Sequence, residues 1–438
     1  MNKRNKWKRT VSTLVLALLG FAATPAALVT TGRGLLAAAA APPSSSAVPT
    51  DDLVIRWNRF LLGIQAPGDQ PSTVHPTYDL AVMHAAIYDA VVSIDRSATP
   101  YATHIHGPHR ASLAGAADAA AHDVLAALYP ALQPAIDDEY AAQLAQIRQS
   151  RHKEQGVDVG HAVAEEILAA RANDGSTAAL LPFTPGTSPG GYQLTAPAFA
   201  QPVFTHWRFV RPFALHRADV FRPAAPPALT SPQYAAAITE IKTLGVAQGS
   251  TRTPDQTQIG VFWNPPMWAT WNRIAQTAAL GHHGTLSENA RAFASLNLTF
   301  ADSVIAFYDA KYAYALWRPI TAIRNADTDG NADTMADPSW TPLSATAPDP
   351  SYPGAHGTIS AAGAAVLASI YGNDFQFIVT SPALPGIERP FASFSQASEE
   401  ASVSRIYNGN HTRFDQAAGE DLGRDVAMFV TQHFLAPR

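Results

Sequence analysis

Apolar residues recur every three or four positions through most of this chain, a spacing that places them on one face of an α-helix. The longest such run is predicted to begin at Ser287-Glu288 and to end near Pro319. Its apolar face carries Phe293, Leu296, Phe300, Val304 and Phe307. The alternating pattern of β-strands is scarce, so the sequence predicts an all-α fold, a helical bundle with long Pro-rich loops.

The chain of 438 residues is predicted to have four consecutive parts. Residues 1–41 are predicted to be a signal peptide and residues 42–50 a Pro/Ser linker. Residues 51–228 are predicted to form an N-terminal helical region that ends in a long ordered loop, 174–228, rich in Pro, Gly, Phe and Trp. Residues 229–438 are predicted to form a helical bundle that carries the candidate site and continues the preceding region as one domain.

The composition excludes several functions. The net charge is -5 and no long basic stripe occurs, so the chain has no feature of a nucleic-acid-binding protein. Cysteine is absent, which excludes disulfides, cysteine-bound metals and a thiol nucleophile. After the N-terminal segment no apolar run approaches the ~18 residues of a membrane span. The mature protein is therefore predicted not to span a membrane.

The N-terminal segment has the arrangement of an export signal. Basic residues come first, an apolar stretch covers 11–29, and a small-residue run at 37–41 offers cleavage sites. A membrane anchor is the alternative, but Gly20 and Pro25 interrupt the apolar stretch. The segment therefore predicts export to the periplasm or to the medium.

The apolar face of the longest predicted helix continues onto two cations, Lys311 and Arg318. A spacing of seven residues leaves their side chains within roughly 20° of one another around the helix and ~10 Å apart along it. Long basic side chains often extend to solvent from a helix end, which is one interpretation. The other is that both converge on a buried anion.

Two further segments add histidines to this pattern. In the predicted last helix, starting at about His411, this residue and Asp415 lie one turn apart on the inward face. There the carboxylate can accept a ring N–H and fix the tautomer. Arg405 precedes them at the end of another predicted helix. The segment 350–358, with its prolines and glycines, predicts a tight turn that delivers His356 just ahead of a helix whose N-terminal amides attract anions.

Together these segments supply three cations, two histidines and one orienting carboxylate. Burying unpaired cations costs several kcal/mol each, whereas a charge-assisted hydrogen bond to an oxyanion contributes ~1.5–3 kcal/mol. The set therefore predicts a shared pocket for a tetrahedral oxyanion. A protein that only binds the anion has no use for a second histidine facing an oriented first one, which favours an enzyme.

The spacing of these residues resembles the three-part signature of the superfamily shared by vanadium-dependent haloperoxidases and type 2 phosphatidic acid phosphatases. Its parts are Lys-x6-Arg-Pro ending at Pro319, Pro-x-x-His ending at His356, and Ser-Arg-x5-His-x3-Asp ending at Asp415. The match covers about residues 311–415. The N-terminal helices, including the segment 84–90, look like those of the bacterial haloperoxidase-type members.

The resemblance implies the helical-bundle fold of the vanadium haloperoxidases and acid phosphatases, with vanadate as the cofactor. In a haloperoxidase, His411 would bind vanadate, Asp415 would orient His411, and His356 would act as the acid–base. The anion oxygens would be held by the side chains of Lys311, Arg318 and Arg405 and by the amides of Gly354 and Ala355. Hydrogen peroxide and a halide would be the substrates, and phosphate would compete for the site.

Two alternatives stay open beside the haloperoxidase. An acid-phosphatase-like enzyme would take a phosphate ester, form a phosphohistidine at His411 and protonate the leaving alcohol with His356. A non-catalytic protein would keep the pocket and only bind the oxyanion.

Two positions depart from the family pattern. Gly354-Ala355 stands where Ser-Gly is usual, so a serine hydroxyl that would bond an anion oxygen is missing, and Gly354→Ser is expected to tighten anion binding. Asp349 stands where an aromatic residue is usual. Two other groups of histidines are predicted to lie in exposed loops and not to bind a metal, namely His104, His106 and His109, and His282 and His283.

We expect the secreted protein to begin between residues 38 and 50, because the export signal is removed at the Ala-rich run. The intact mass of the secreted protein measures this directly. A mass that still includes Met1 would contradict the prediction, and a protein that stays with membranes after a salt wash would support the anchor.

Overall fold

The computed structural model describes residues 53–65 and 74–436, so the predicted signal peptide (1–41) and linker (42–50) lie outside the described residues. In the described part of the chain the helices are α1 (Leu53–Ile64), α2 (Pro76–Asp95), α3 (Leu113–Leu128), α4 (Gln133–Leu144), α5 (Arg151–Arg171), α6 (Pro232–Leu244), α7 (Pro254–Phe262), α8 (Met267–His282), α9 (Leu286–Tyr314), α10 (Pro319–Arg324), α11 (Ala355–Tyr371), α12 (Phe394–Tyr407) and α13 (Arg413–His433). Two strands, β1 (Phe377–Thr380) and β2 (Glu388–Phe391), form an antiparallel hairpin. None of the described helices is long and apolar enough to cross a membrane.

The prediction of a mostly helical fold is confirmed, and capping motifs set two of the boundaries. Thr253 caps α7 and closes a capping box with Gln256. Thr285 does the same with Glu288, so α9 begins one residue before the predicted Ser287. The short hairpin of β1 and β2 was not predicted.

Helix α9 lies at the centre of the core. All its residues from Ala292 to Lys311 are buried, so it is covered on every side and not only on the predicted apolar face. Helices α2, α11 and α13 pack against it, and α11 also packs along α13. That second contact is very close, since a Cβ added to Gly419 would lie 2.3 Å from the carbonyl oxygen of Gly354. The close approach brings the beginnings of α11 and α13 together.

The irregular segment between α5 and α6 is held by carboxylates of α9. Asp302 is buried and accepts hydrogen bonds of 2.6–2.7 Å from the backbone N–H groups of residues 213–215. Asp309 forms ion pairs with Arg208 and Arg222 of the same segment. These contacts fix a long stretch that has one short 3-10 turn and no α-helix.

Replacing Asp302 with Ala is expected to lower the free energy of unfolding by about 3 kcal/mol or more, because three buried N–H groups lose their acceptor. Asp302→Asn keeps one carbonyl oxygen and should lower it less. Denaturant unfolding followed by circular dichroism measures both variants. If both unfold like the parent protein, the carboxylate does not hold the segment on α9.

Candidate active site

Lys311 and Arg318 do not share a helix, contrary to the sequence prediction. Helix α9 ends at Tyr314, because Ala315 has a left-handed backbone (φ 44°) and the chain then pairs with the irregular segment between α5 and α6. Arg318 instead caps the short helix α10. Both side chains are nevertheless buried, and both reach the carboxylate of Asp349. The two cations therefore come together from two different helices and not from one continuous helix.

Asp349 is the counter-charge of these two cations. Its carboxylate lies 3.4 Å from Nζ of Lys311 and accepts a hydrogen bond from the guanidinium of Arg318. Burial raises the pKa of this carboxyl, but Lys311 and Arg318 together outweigh burial and hold the pKa below its ordinary value. The sequence shows that Asp349 departs from the family pattern. It does not show the ion pairs of Asp349, because these depend on tertiary contacts.

Lys311 is completely buried, and its ammonium also donates to the carbonyl groups of Pro350 and Ser351. Burial lowers the pKa of Lys311 to about 8, and the nearby charge of Asp349 limits the fall. The side chain is therefore charged at neutral pH and loses its charge as the pH rises through about 8.

The two ring nitrogens of the buried His411 face different partners. Nε2 lies 3.1 Å from an N–H group of Arg318, and because arginine only donates, Nε2 is the unprotonated nitrogen. Nδ1 lies 3.5 Å from a carboxylate oxygen of Asp415, a close contact without the geometry of a hydrogen bond. Burial and then the charge of Arg318 lower the pKa of His411, so the ring is neutral at pH 7.

Asp415 has a second task besides facing His411. Helix α13 begins at Arg413, two residues later than predicted, and Asp415 closes a capping box with Thr412 at this start. The same carboxylate accepts a hydrogen bond of 2.7 Å from Oγ of Ser351. It therefore joins the start of α13 to the turn that precedes α11.

His356 lies within the first turn of α11 and not ahead of it, because the helix begins at Ala355. Its Nε2 donates to the carbonyl of Trp263 at 3.0 Å, which leaves the lone pair on Nδ1. Burial and then the charge of Arg405 lower the pKa of His356. This second ring is therefore also neutral at pH 7.

Arg405 is the third buried cation. One guanidinium nitrogen donates to the side chain of Asn264 at 3.0 Å, while Nε has no hydrogen-bond partner among the described residues. Burial and then the charge of Arg318 lower the pKa of Arg405 to about 9. All three cations lower the pKa of His411, so they lie within electrostatic range of one ring.

The two predicted backbone donors differ. The amide of Gly354 donates to the carbonyl of Asp415 at 2.8 Å, so it is not free to bind an anion as predicted. The amide of Ala355 stands at the first position of α11, where N–H groups have no partner within the helix. A Cβ on Gly354 would lie 2.2 Å from Nε2 of Gln416, so a serine there would collide with that side chain. Gly354→Ser is therefore no longer expected to tighten anion binding.

The two groups of histidines that were predicted not to bind a metal lie on the surface. His104, His106, His109, His282 and His283 are all exposed. His282 was predicted to lie in a loop, but it is the last residue of α8. In the described part of the chain, no three or more His, Asp or Glu side chains are placed to hold a metal ion.

The geometry defines a class of protein, a helical bundle in which three buried cations surround neutral histidines. Residues 291–437 match the family model for the VCPO second helical-bundle domain. A similar curated protein is the vanadium chloroperoxidase of Curvularia inaequalis, which is 26% identical over 45% of this chain and 44% of that protein. The chain thus matches less than half the length of this relative.

Two of the similar solved structures are bacterial enzymes. A vanadium-dependent iodoperoxidase has a TM-score of 0.73 at 24% identity, over 89% of this chain and 97% of that chain. A holo-type vanadium-dependent chloroperoxidase has a TM-score of 0.64 at 15% identity, over 90% and 95%. The family model confirms the resemblance to the vanadium haloperoxidases for residues 291–437, and the two solved structures confirm the helical-bundle fold.

Asp349→Asn is expected to strengthen the binding of inorganic phosphate at pH 6 by about tenfold, because a negative charge beside the anion is removed. The affinity of this variant should also start to fall at a lower pH, since the charge of Asp349 limits the fall in the pKa of Lys311. Calorimetric titration between pH 6 and pH 9 measures both effects.

The control for this prediction is Asp255→Asn, which changes the net charge equally. Asp255 is exposed and pairs with Arg389. This variant should bind phosphate like the parent protein. Equal affinity in Asp349→Asn and in the parent protein would show that the buried carboxylate does not compete with the anion.

Proposed function

We propose that this chain is a vanadium-dependent haloperoxidase-like enzyme that binds vanadate and uses hydrogen peroxide to oxidise a halide. The observation that carries the proposal is the set of three buried cations within range of His411, whose Nε2 is unprotonated. The family match over 291–437 and the fold shared with bacterial haloperoxidases support it. Export to the periplasm or to the medium belongs to the same proposal.

The residues present fit a vanadate ion. Two buried donors, Nε of Arg405 and Nε2 of Gln416, have no hydrogen-bond partner in the described part of the chain. His411 offers a ring nitrogen with a lone pair. In the proposed site the three cations hold the anion oxygens and His411 binds the metal. Vanadate, when bound, supplies the activation of hydrogen peroxide for attack by a halide.

The side chains around the anion have distinct tasks in this proposal. Asp415, 3.5 Å from Nδ1 of His411, favours the proton on that nitrogen and leaves Nε2 for the anion. His356 has a lone pair on Nδ1 and a lowered pKa, so its ring is unprotonated at neutral pH. In this proposal it would accept a proton from hydrogen peroxide.

A phosphatase is the second candidate, because the same nitrogen of His411 can attack phosphorus. A bond would form between Nε2 and phosphorus as the bond from phosphorus to the ester oxygen breaks. The leaving alkoxide would then need a proton from His356. Burial and then the charge of Arg405 lower the pKa of His356, which opposes a protonated acid at this position while no anion is bound.

The test combines orthovanadate, hydrogen peroxide and bromide or iodide with the purified protein. We expect halogenation of a phenol dye, and free phosphate should compete for the site. His411→Ala should abolish the activity. His356→Ala should leave anion binding largely intact and slow the reaction by roughly 10²–10⁴, as expected for a lost acid–base group.

His282→Ala is the matched control, since His282 is exposed at the end of α8 and should not affect the rate. Hydrolysis of p-nitrophenyl phosphate without vanadate, with inhibition by vanadate, would support the phosphatase. Binding of the oxyanion with neither activity, across several halides and phosphate esters, would leave only a binding protein.

A further inference from the structure

The side chain of Gln416 carries a buried donor without a partner. Gln416 is 3% exposed, and its Nε2 has no hydrogen-bond partner among the residues that the structure describes. Its Oε1 accepts a hydrogen bond from the backbone N–H of Gly357 at 2.9 Å and lies 3.4 Å from Oγ of Ser402, whose proton is donated to the carboxylate of Glu420. Exchanging the two amide atoms would set an NH₂ group against the N–H of Gly357, so the orientation with Nε2 unpartnered is favoured.

The unpartnered atom lies among the segments that build the site. Gly354, at the start of α11, approaches so closely that an added Cβ would lie 2.2 Å from Nε2. Ser402, which contacts the other end of the amide, stands one turn before Arg405 on α12. Gln416 itself follows Asp415 on α13. The three segments that carry the histidines and the third cation therefore enclose this amide.

A buried NH₂ group without a partner is costly because it has lost its hydrogen bonds to water, so a donor in this position is suited to a ligand. An amide also suits this particular pocket. It adds a hydrogen-bond donor but no positive charge, and so it does not lower the pKa of His356 or His411 further. A neutral donor can therefore hold an anion oxygen without changing the protonation of the two rings.

We propose that Gln416 is an anion-binding residue whose Nε2 donates a hydrogen bond to an oxygen of the bound oxyanion. The proposal rests on the proposed function, because it requires the same anion pocket. Gly354 and Gln416 then form a compensating pair: position 354 has no side chain, and the amide from α13 enters the space. This explains why a serine at 354 is not expected to tighten binding while Gln416 is present.

Calorimetric titration with inorganic phosphate tests the proposal. Gln416→Met keeps the length of the side chain but has no donor, and it should weaken phosphate binding roughly tenfold. Gln416→Glu keeps an acceptor for the N–H of Gly357 and replaces the donor with a second acceptor oxygen. It should weaken binding at least as much.

Gln276→Met is the matched control, because Gln276 is also buried but its amide is already bonded to Asn58. This variant should keep its phosphate affinity even if its melting temperature falls. Melting temperatures of all variants separate a lost donor from a lost fold.

A second pair of variants tests the compensation. In the parent protein, Gly354→Ser meets the amide of Gln416, and phosphate affinity should stay equal or fall. In a Gln416→Ala protein the space is open, and adding Gly354→Ser should recover several-fold of the lost affinity. If Gly354→Ser tightens binding equally in both backgrounds, the two positions do not compensate and the pairing is overturned.

The outcomes separate this proposal from the proposed function. Unchanged phosphate affinity in a folded Gln416→Met protein overturns the anion-binding role and leaves the haloperoxidase standing. Phosphate binding that depends on Gln416, without halogenation by the parent protein, supports the role and opposes the haloperoxidase. A parent protein that binds neither phosphate nor vanadate overturns both.

Discussion

The ion pairs between Asp349 and two buried cations determine how the rest of the site is built. Lys311 and Arg318 are tolerated in the core because this carboxylate and nearby carbonyl groups satisfy them. Arg405 has no such carboxylate in the described part of the chain, and its Nε lacks a hydrogen-bond partner. An oxyanion therefore gains most on the side of Arg405, whereas on the other side it must compete with Asp349.

The contact between α11 and α13 places the two histidines relative to each other. Added Cβ atoms would lie 2.3 Å from a backbone oxygen at Gly419 and 2.1 Å at Gly423, so only glycine allows this approach. At the near end of the contact, Gly354 donates to the carbonyl of Asp415, which also caps α13. The same hydrogen bonds that begin the helices thus fix His411 and the turn before His356. The amide of Gly354 is therefore not free for an anion, because it already donates to Asp415.

Much of the fold and the identity of the cationic residues followed from periodicity and spacing. Helices α9 and α13 begin within two residues of prediction, since caps such as Thr285 and Thr412 are local signals. The left-handed Ala315 has no such signal, because an alanine at the end of an apolar run reads as a continuing helix. The partners of Asp349 and the position of the Gln416 amide could not be predicted, because both depend on how distant segments pack.

The charges in the site act on one another in opposite directions, and the balance limits the chemistry. Burial and then the three cations lower the pKa of His411 and of His356 and keep both rings neutral, which suits a metal ligand and a proton acceptor. The same crowding and burial lower the pKa of Lys311, and without a counter-charge it would lose its charge nearer to neutral pH. Asp349 opposes that loss while it weakens the attraction for an anion. A carboxylate in this position therefore lowers the affinity for an anion and keeps Lys311 charged over a wider range of pH.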